Sequence, residues 1–179
     1  MRVITGTAKG RLIKTLDGLE TRPTTQKVKE AIFSVLQFDI EGRRILDLFA
    51  GSGQMGIEAL SRGASTAVFV DNSQKATSVI KDNIIRAGFQ DRSEIYCRDS
   101  SLFLSSDKGK YDIVFVDPPY SKNMASKSLE ALGKILSDHG IVVCEHDSHD
   151  VLPDKTESLE KIQTKSYGRI CVSYYRFAL

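Results

Sequence analysis

A chain of 179 residues, 41% hydrophobic and 27% charged, has the composition of one soluble globular domain and is short for two. No apolar run is long enough to cross a bilayer, no apolar signal core opens the chain, and three cysteines (Cys97, Cys144, Cys171) without C-x-x-C spacing do not make a disulfide framework. The expectation is a monomeric, cytoplasmic protein of one domain over residues 1–179, in which the net charge of +2 is unevenly spread: residues 1–29 hold seven basic side chains against two acids, a balance of +5 that leaves −3 for the remainder.

Residues 1–40 read as a basic extension ending in a helix, and residues 41–179 as the core. Val3-Ile4-Thr5 and Leu12-Ile13, around Gly6 and Gly10, predict two small strands or a hairpin. Arg22-Pro23-Thr24-Thr25 leads into a helix, since proline cannot extend it backwards and a threonine caps its first turn. Val28, Ala31, Ile32, Val35 and Leu36 make its buried face, with Lys27, Lys29 and Glu30 off that face.

After Gly42 strands and helices alternate. Arg44–Phe49 is the first core strand and Thr66–Val70 the second; Asn72 or Ser73 caps a helix to about Ala87, which Gly88 ends. Ser93–Cys97 is the third strand, with Cys97 a core residue like Cys144, and Asp99 follows it. Tyr111–Val116 is the fourth strand, a helix runs from about Lys122 to Leu136, and Ile141–Cys144 is the fifth strand. This alternation predicts a parallel sheet with helices on both faces. Glu160–Lys165 and Ile170–Phe177, flanking Tyr167-Gly168-Arg169, read as a hairpin that adds an antiparallel edge.

In such sheets ligands bind beyond the carboxyl ends of the strands. Asp47, Gly51, Asp71, Asp99 and Asp117 all fall at or just past those ends, so one rim carries the candidate site. The first strand runs into Asp47-Leu48-Phe49-Ala50-Gly51-Ser52-Gly53, where Gly51 and Gly53 permit positive φ and close approach of a ligand to the backbone. With Gly56 the turn also fits the dinucleotide pattern G-x-G-x-x-G. A carboxylate at Asp47 favours a cationic ligand group and repels a pyrophosphate. S-adenosylmethionine, with an ammonium, a sulfonium and no phosphate, therefore fits this loop better than NAD does.

The fourth strand ends in Asp117-Pro118-Pro119-Tyr120. Two prolines stiffen the backbone and remove amide donors, leaving the Asp117 side chain and the Pro118 carbonyl to accept from one planar NH₂ group. Holding both hydrogens favours a more tetrahedral amine nitrogen whose lone pair can meet a methyl group. Tyr120 offers a ring for a target base to stack on. The sequence His146-Asp-Ser-His149 is read as a loop after strand five and not as a metal site, because no cysteine pair or closed ligand set accompanies it.

The Asp47–Gly53 loop and the Asp117–Tyr120 tetrad resemble those of Rossmann-like, class I S-adenosylmethionine-dependent amino-methyltransferases. Together with Arg2-Val3-Ile4-Thr5-Gly6, Gly10-Arg11 and Arg22-Pro23-Thr24-Thr25, they make the whole chain similar to the RsmD type of bacterial 16S ribosomal RNA guanine-N2 methyltransferase. The resemblance implies a mostly parallel seven-stranded sheet with a C-terminal antiparallel hairpin and a small N-terminal β/α extension. It implies S-adenosylmethionine held by Asp47, Phe49, Ala50, Gly51, Ser52 and Gly53, by Asp71 and Asn72 at the ribose, and by Asp99 and Ser100 at the adenine. Arg22 and Thr24 would close over cofactor or base, and Arg2, Lys9, Arg11, Arg22 and Lys27 would meet phosphates of 16S rRNA in the small ribosomal subunit. Asp117, Pro118, Pro119 and Tyr120 would be the catalytic group. Two other readings are weighed beside it: methyl transfer to DNA adenine or a protein glutamine amide, and an NAD(P)-dependent oxidoreductase.

Overall fold

The computed structural model describes residues 1–16, 25–119 and 123–178. The apolar runs become seven strands: β1 Arg44–Leu48, β2 Thr66–Asp71, β3 Ser93–Cys97, β4 Tyr111–Val116, β5 Leu136–Asp147, β6 Leu159–Tyr167 and β7 Ile170–Phe177. They form one sheet in the order β3-β2-β1-β4-β5-β7-β6, parallel from β3 to β5 and antiparallel through β7 and β6. This is the class I methyltransferase arrangement, a Rossmann-like sheet closed by an antiparallel hairpin. Its direction of winding reverses between β1 and β4, which makes that junction the crevice for a ligand.

Alternation along each strand sends side chains to opposite faces. Ile45, Ala67, Phe69, Ile113 and Phe115 face one layer, built by helices α1 (Gln26–Val35), α2 (Gln54–Ser61) and α3 (Gln74–Ala87). Leu46, Leu48, Val68, Val114 and Val116 face the other, built by α4 (Ser100–Ser106) and α5 (Met124–Leu132). Helix α3 begins on Ser73, whose hydroxyl accepts from the Ala76 amide, and ends on Gly88 at φ 78°, as the sequence predicts.

Four expectations are corrected. Strand β5 is longer than Ile141–Cys144, and α5 stops at Leu132, so Leu136 belongs to the strand and pairs with Tyr111. His146 consequently lies on β5 rather than on a loop. Cys97 is exposed: β3 is the sheet's edge and its last residue has no layer over it. Lys29, expected off the buried face of α1, is fully buried.

Lys29 is explained by the amino-terminal extension. Its hairpin is reduced to one bridge, Arg2 to Leu12, with Val3, Ala8 and Ile13 buried beneath it. All eight residues of α2 are buried, because the extension covers the side of α2 that the sheet does not. The polar residues on that side meet the extension directly. Glu58 accepts from the Ile4 and Thr5 amides at 2.8 and 3.0 Å, from Arg62 Nε at 2.9 Å, and faces Lys29 Nζ at 3.4 Å. Ser61 donates to the Thr5 carbonyl and accepts from the Ala8 amide. Desolvation pulls the Lys29 ammonium below its ordinary pKa, opposed by the Glu58 carboxylate beside it.

Gly56 permits the contact between α2 and the sheet. A Cβ there would stand 2.3 Å from the ring of Phe69, itself fully buried on β2. Gly56→Ala is expected to destabilise the protein by about 1–3 kcal/mol through overpacking, although alanine is the better helix former. A lowered urea midpoint at unchanged slope measures this.

Candidate active site

The register aligns the ends of the parallel strands. Leu48 pairs with Val70 on one side and Val116 on the other, Asp71 pairs with Cys97, and Val116 pairs with Cys144. Phe49, Asp71 and Asp117 therefore stand at or one residue past the ends of β1, β2 and β4, Asp99 stands two residues past β3, and Glu145 follows the β5 residue level with the end of β4. The sequence places Asp71, Asp99 and Asp117 at this rim together with Asp47 and Gly51; Glu145 is an addition that its place after the apolar run Ile141–Cys144 could have indicated.

The loop after β1 is held in a strained form. Phe49 sits at φ 69°, a left-handed conformation that costs a non-glycine residue about 1–2 kcal/mol, followed by Gly51 at 56° and Gly53 at 77°. Space beside Gly51 is open, so the backbone is accessible there. The Asp71 carboxylate fastens the loop: its two oxygens accept from the amides of Gly51 and Ser73, each at 2.9 Å. A carboxylate has about four lone-pair sites, so this leaves Asp71 capacity to accept from ribose hydroxyls. From below, buried Asn83 donates to the Ser52 carbonyl at 2.9 Å and exchanges two hydrogen bonds with the Lys14 backbone. Asn83 was not foreseen; it ties the glycine loop to the root of the amino-terminal segment.

Asp47 accepts from the Gly56 amide at 3.0 Å and is 4% exposed. Desolvation raises its pKa to about 7, the Gly56 amide opposes the rise, and the Asp71 charge adds to it. Among the described residues no cation stands against it, and Gln54 Oε1, in the first turn of the helix whose Gly56 amide Asp47 accepts, is buried without a donor. A site with an uncompensated acid and an orphan acceptor fits an ammonium-bearing ligand and disfavours a pyrophosphate. The residues present thus suit S-adenosylmethionine. The pH consequence has a definite sign. An acid titrating near 7 when folded and near 4 when unfolded binds extra protons in the folded state between those values, so its stabilisation is full below about pH 4 and lost as pH rises through about 7. Asp47→Asn is expected to flatten that slope, on the order of 4 kcal/mol, making the variant more stable than the parent at pH 8 while weakening cofactor binding. Denaturant titrations at pH 4.5 and pH 8 check it.

Asp99 caps α4, a helix the sequence reading did not contain. Its Oδ1 accepts from the amides of Ser101 and Leu102 and from the Ser101 hydroxyl, which hold its pKa below the ordinary carboxylate range, while Ser100 is buried behind it. Asn72 is exposed between Asp71 and Ser73.

On the far side of β1, Asp117, Pro118 and Pro119 line a cavity of about 250 Å³ that also takes in Glu145, His146 and Val151. None of Asp47, Gly51, Asp71 or Asp99 lines it, so the described rim residues fall into two groups, those of the glycine loop with Asp71 and Asp99, and those of this cavity with Asp117. His146 is fixed in the wall: one ring nitrogen contacts the Ser173 hydroxyl at 2.8 Å and the other the Asp147 carbonyl at 3.0 Å, and burial lowers its pKa. Arg22, Thr24 and Tyr120 lie outside the described residues. Arg2, Lys9, Arg11 and Lys27 are exposed. Arg11 reaches the Arg86 carbonyl in the last turn of α3, the end of that helix farthest from the rim.

The family described as "Conserved hypothetical protein 95" matches residues 1–176. The chain belongs to that family. Bacillus subtilis YlbH, provisionally named an rRNA methyltransferase, is 38% identical over 98% of both chains. The Escherichia coli ribosomal RNA small subunit methyltransferase D is 28% identical over 98% of this chain and 89% of that protein. A solved Escherichia coli structure, yhhF, provisionally named a methyltransferase, superposes with a TM-score of 0.88 at 29% identity, covering 99% of this chain and 97% of that one. This member of the family is therefore an RsmD-related, S-adenosylmethionine-dependent methyltransferase with a Rossmann-like fold. No helix among its described residues is long and apolar enough to cross a membrane.

Proposed function

We propose that the protein methylates the exocyclic N2 amine of a guanine in 16S rRNA of the small ribosomal subunit, acting as a monomer. The observation that carries this reading is the position of Asp117-Pro118-Pro119: one strand from the Asp47–Gly53 loop, at the mouth of a cavity on the side away from it. The names of YlbH and of methyltransferase D support RNA as the acceptor.

The bound cofactor supplies a methyl group on a sulfonium, already activated for displacement. What remains for the protein is alignment, which accounts for most of the rate in such transfers. Asp117 and the Pro118 carbonyl take the two amine hydrogens, turning the nitrogen lone pair toward the methyl carbon. Bound S-adenosylmethionine would supply the methyl group and keep the electron pair of its C–S bond on sulfur, while Asp117 or water would take the proton that the methylated amine gives up. Asp47 and the Asp71-braced loop hold the amino-acid and ribose parts of the cofactor, and Asp99 with Ser100 the adenine. Tyr120 stacks on the base, Thr24 and Arg22 close over the site, and the exposed cations meet RNA phosphates.

The test is transfer of labelled methyl to small subunits from cells lacking the enzyme, to naked 16S rRNA and to duplex DNA. N2-methylguanosine is the expected product. Label in N6-methyladenine, or none in RNA, overturns the reading.

A further inference from the structure

Among the described residues four carboxylates line the acceptor cavity, Asp117, Glu145, Asp147 and Asp150, and the first two lie side by side on neighbouring strands. Val116 of β4 and Cys144 of β5 are register partners, so Asp117 and Glu145 are the next residues on adjacent parallel strands, and both line the cavity. Adjacent strands lie about 4.8 Å apart, a spacing that lets two acids address neighbouring atoms of one heterocycle. Pro118 lines the same cavity, while no lysine or arginine is found among its described lining residues. The wall is therefore suited to a base and hostile to a phosphate.

The order of these acceptors distinguishes bases. Guanine presents three hydrogens in a row, two on N2 and one on N1. Adenine and cytosine present an amine beside a ring nitrogen lone pair, which a carboxylate would repel. We infer that Glu145 is the residue that selects guanine, its carboxylate accepting the N1–H while Asp117 and the Pro118 carbonyl accept from the N2 amine. The inference rests on the proposed reading of Asp117, and adds to it a positional discriminator that the Asp-Pro-Pro turn cannot supply: the turn recognises an NH₂ group, whereas Glu145 recognises what stands next to it.

The experiment replaces the guanine that carries label with 2,6-diaminopurine, by splinted ligation of the RNA. This base keeps the N2 amine, exchanges the N1–H for a lone pair and carries an amine in place of O6, so the change of the preference in the Glu145 variant is what isolates the N1 contact. The wild-type enzyme is expected to prefer guanine by at least roughly 100-fold in kcat/KM, because a site built to accept a hydrogen rejects an analogue lacking it. Glu145→Gln, which can present either a carbonyl or an amide hydrogen, is expected to bring that preference to within about 10-fold. A structural role for Glu145 would lower both rates and leave their ratio alone. Equal use of both bases by the wild type overturns the inference without calling on any variant, as does an unchanged ratio in Glu145→Gln. Wild-type transfer that never reaches guanine N2 overturns the functional reading and this inference with it; transfer to guanine N2 with no discrimination overturns this inference alone.

Discussion

Asp117→Ala is expected to lower kcat for methyl transfer by about three orders of magnitude while leaving S-adenosylmethionine affinity within a few-fold of the parent. The expectation follows from how the rim is divided. Asp117 lines the acceptor cavity, whereas the loop fastened by Asp71, the buried Asp47 and the Asp99 cap stand on the other side of the crevice. Removing the Asp117 carboxylate leaves that side intact and takes away one of the two acceptors proposed for the amine hydrogens. The amine then keeps its lone pair delocalised into the ring, and the bound substrate spends little time aligned. Asp117→Asn separates orientation from proton transfer. Its side-chain carbonyl still accepts a hydrogen bond but cannot take up a proton at neutral pH, so orientation predicts that Asn retains substantially more activity than Ala. Equal loss in the two variants would make Asp117 the proton acceptor instead. Single-turnover rates with saturating cofactor, alongside calorimetric cofactor binding, read both quantities.

The parts of this site legible in the sequence are those whose cause is local. Strand β4 occupies the residues read from its apolar run, Tyr111–Val116, because burial in the middle of a parallel sheet demands near-continuous hydrophobicity, and β3 occupies Ser93–Cys97 as read, although as the sheet's edge it buries none of its residues. The caps of α3 at Ser73 and Gly88 were legible because hydroxyl capping and positive φ are tied to residue type. What escaped depends on distant partners. Lys29 looks like a solvated helix residue until Glu58, 29 positions away, is brought under it. Asn83 looks like an ordinary polar residue of α3, yet it holds both Ser52 and Lys14. Helix α4 is seven residues with four serines and no long apolar face, so nothing in its pattern marks Asp99 as the cap of a helix. Strand β5 extends beyond its apolar core because β7 pairs with it from Val142 through Asp147, and that pairing extended the rim to Glu145 and His146.

Glu58→Ala is expected to cost about 3–5 kcal/mol, the largest stability loss of any single change at the polar contacts of α2, because it strands a buried ammonium. In the parent, Lys29 and Glu58 are both fully buried, and Glu58 also receives the Ile4 and Thr5 amides and the Arg62 guanidinium. Truncation leaves Lys29 without its carboxylate and two backbone amides without an acceptor, each a recognised penalty of desolvation without compensation. Pairing the change with Lys29→Met is expected to recover a large part of the loss, since two apolar side chains of similar volume need no partners. If the double variant is no more stable than Glu58→Ala, the two amides rather than the ammonium account for the cost. A double-mutant cycle in urea separates the two sources. The effect is expected to reach function as well as stability. The first turn of α2 follows the glycine loop and its later turns hold the amino-terminal extension, whose Lys14 is tied through Asn83 back to that loop. Loosening the extension at Glu58 therefore releases the root of the segment that carries Arg22 and Thr24. The proposed closure over the site predicts a raised KM for RNA in Glu58→Gln, a variant that keeps an acceptor and stays folded, with kcat changed far less than in Asp117→Ala.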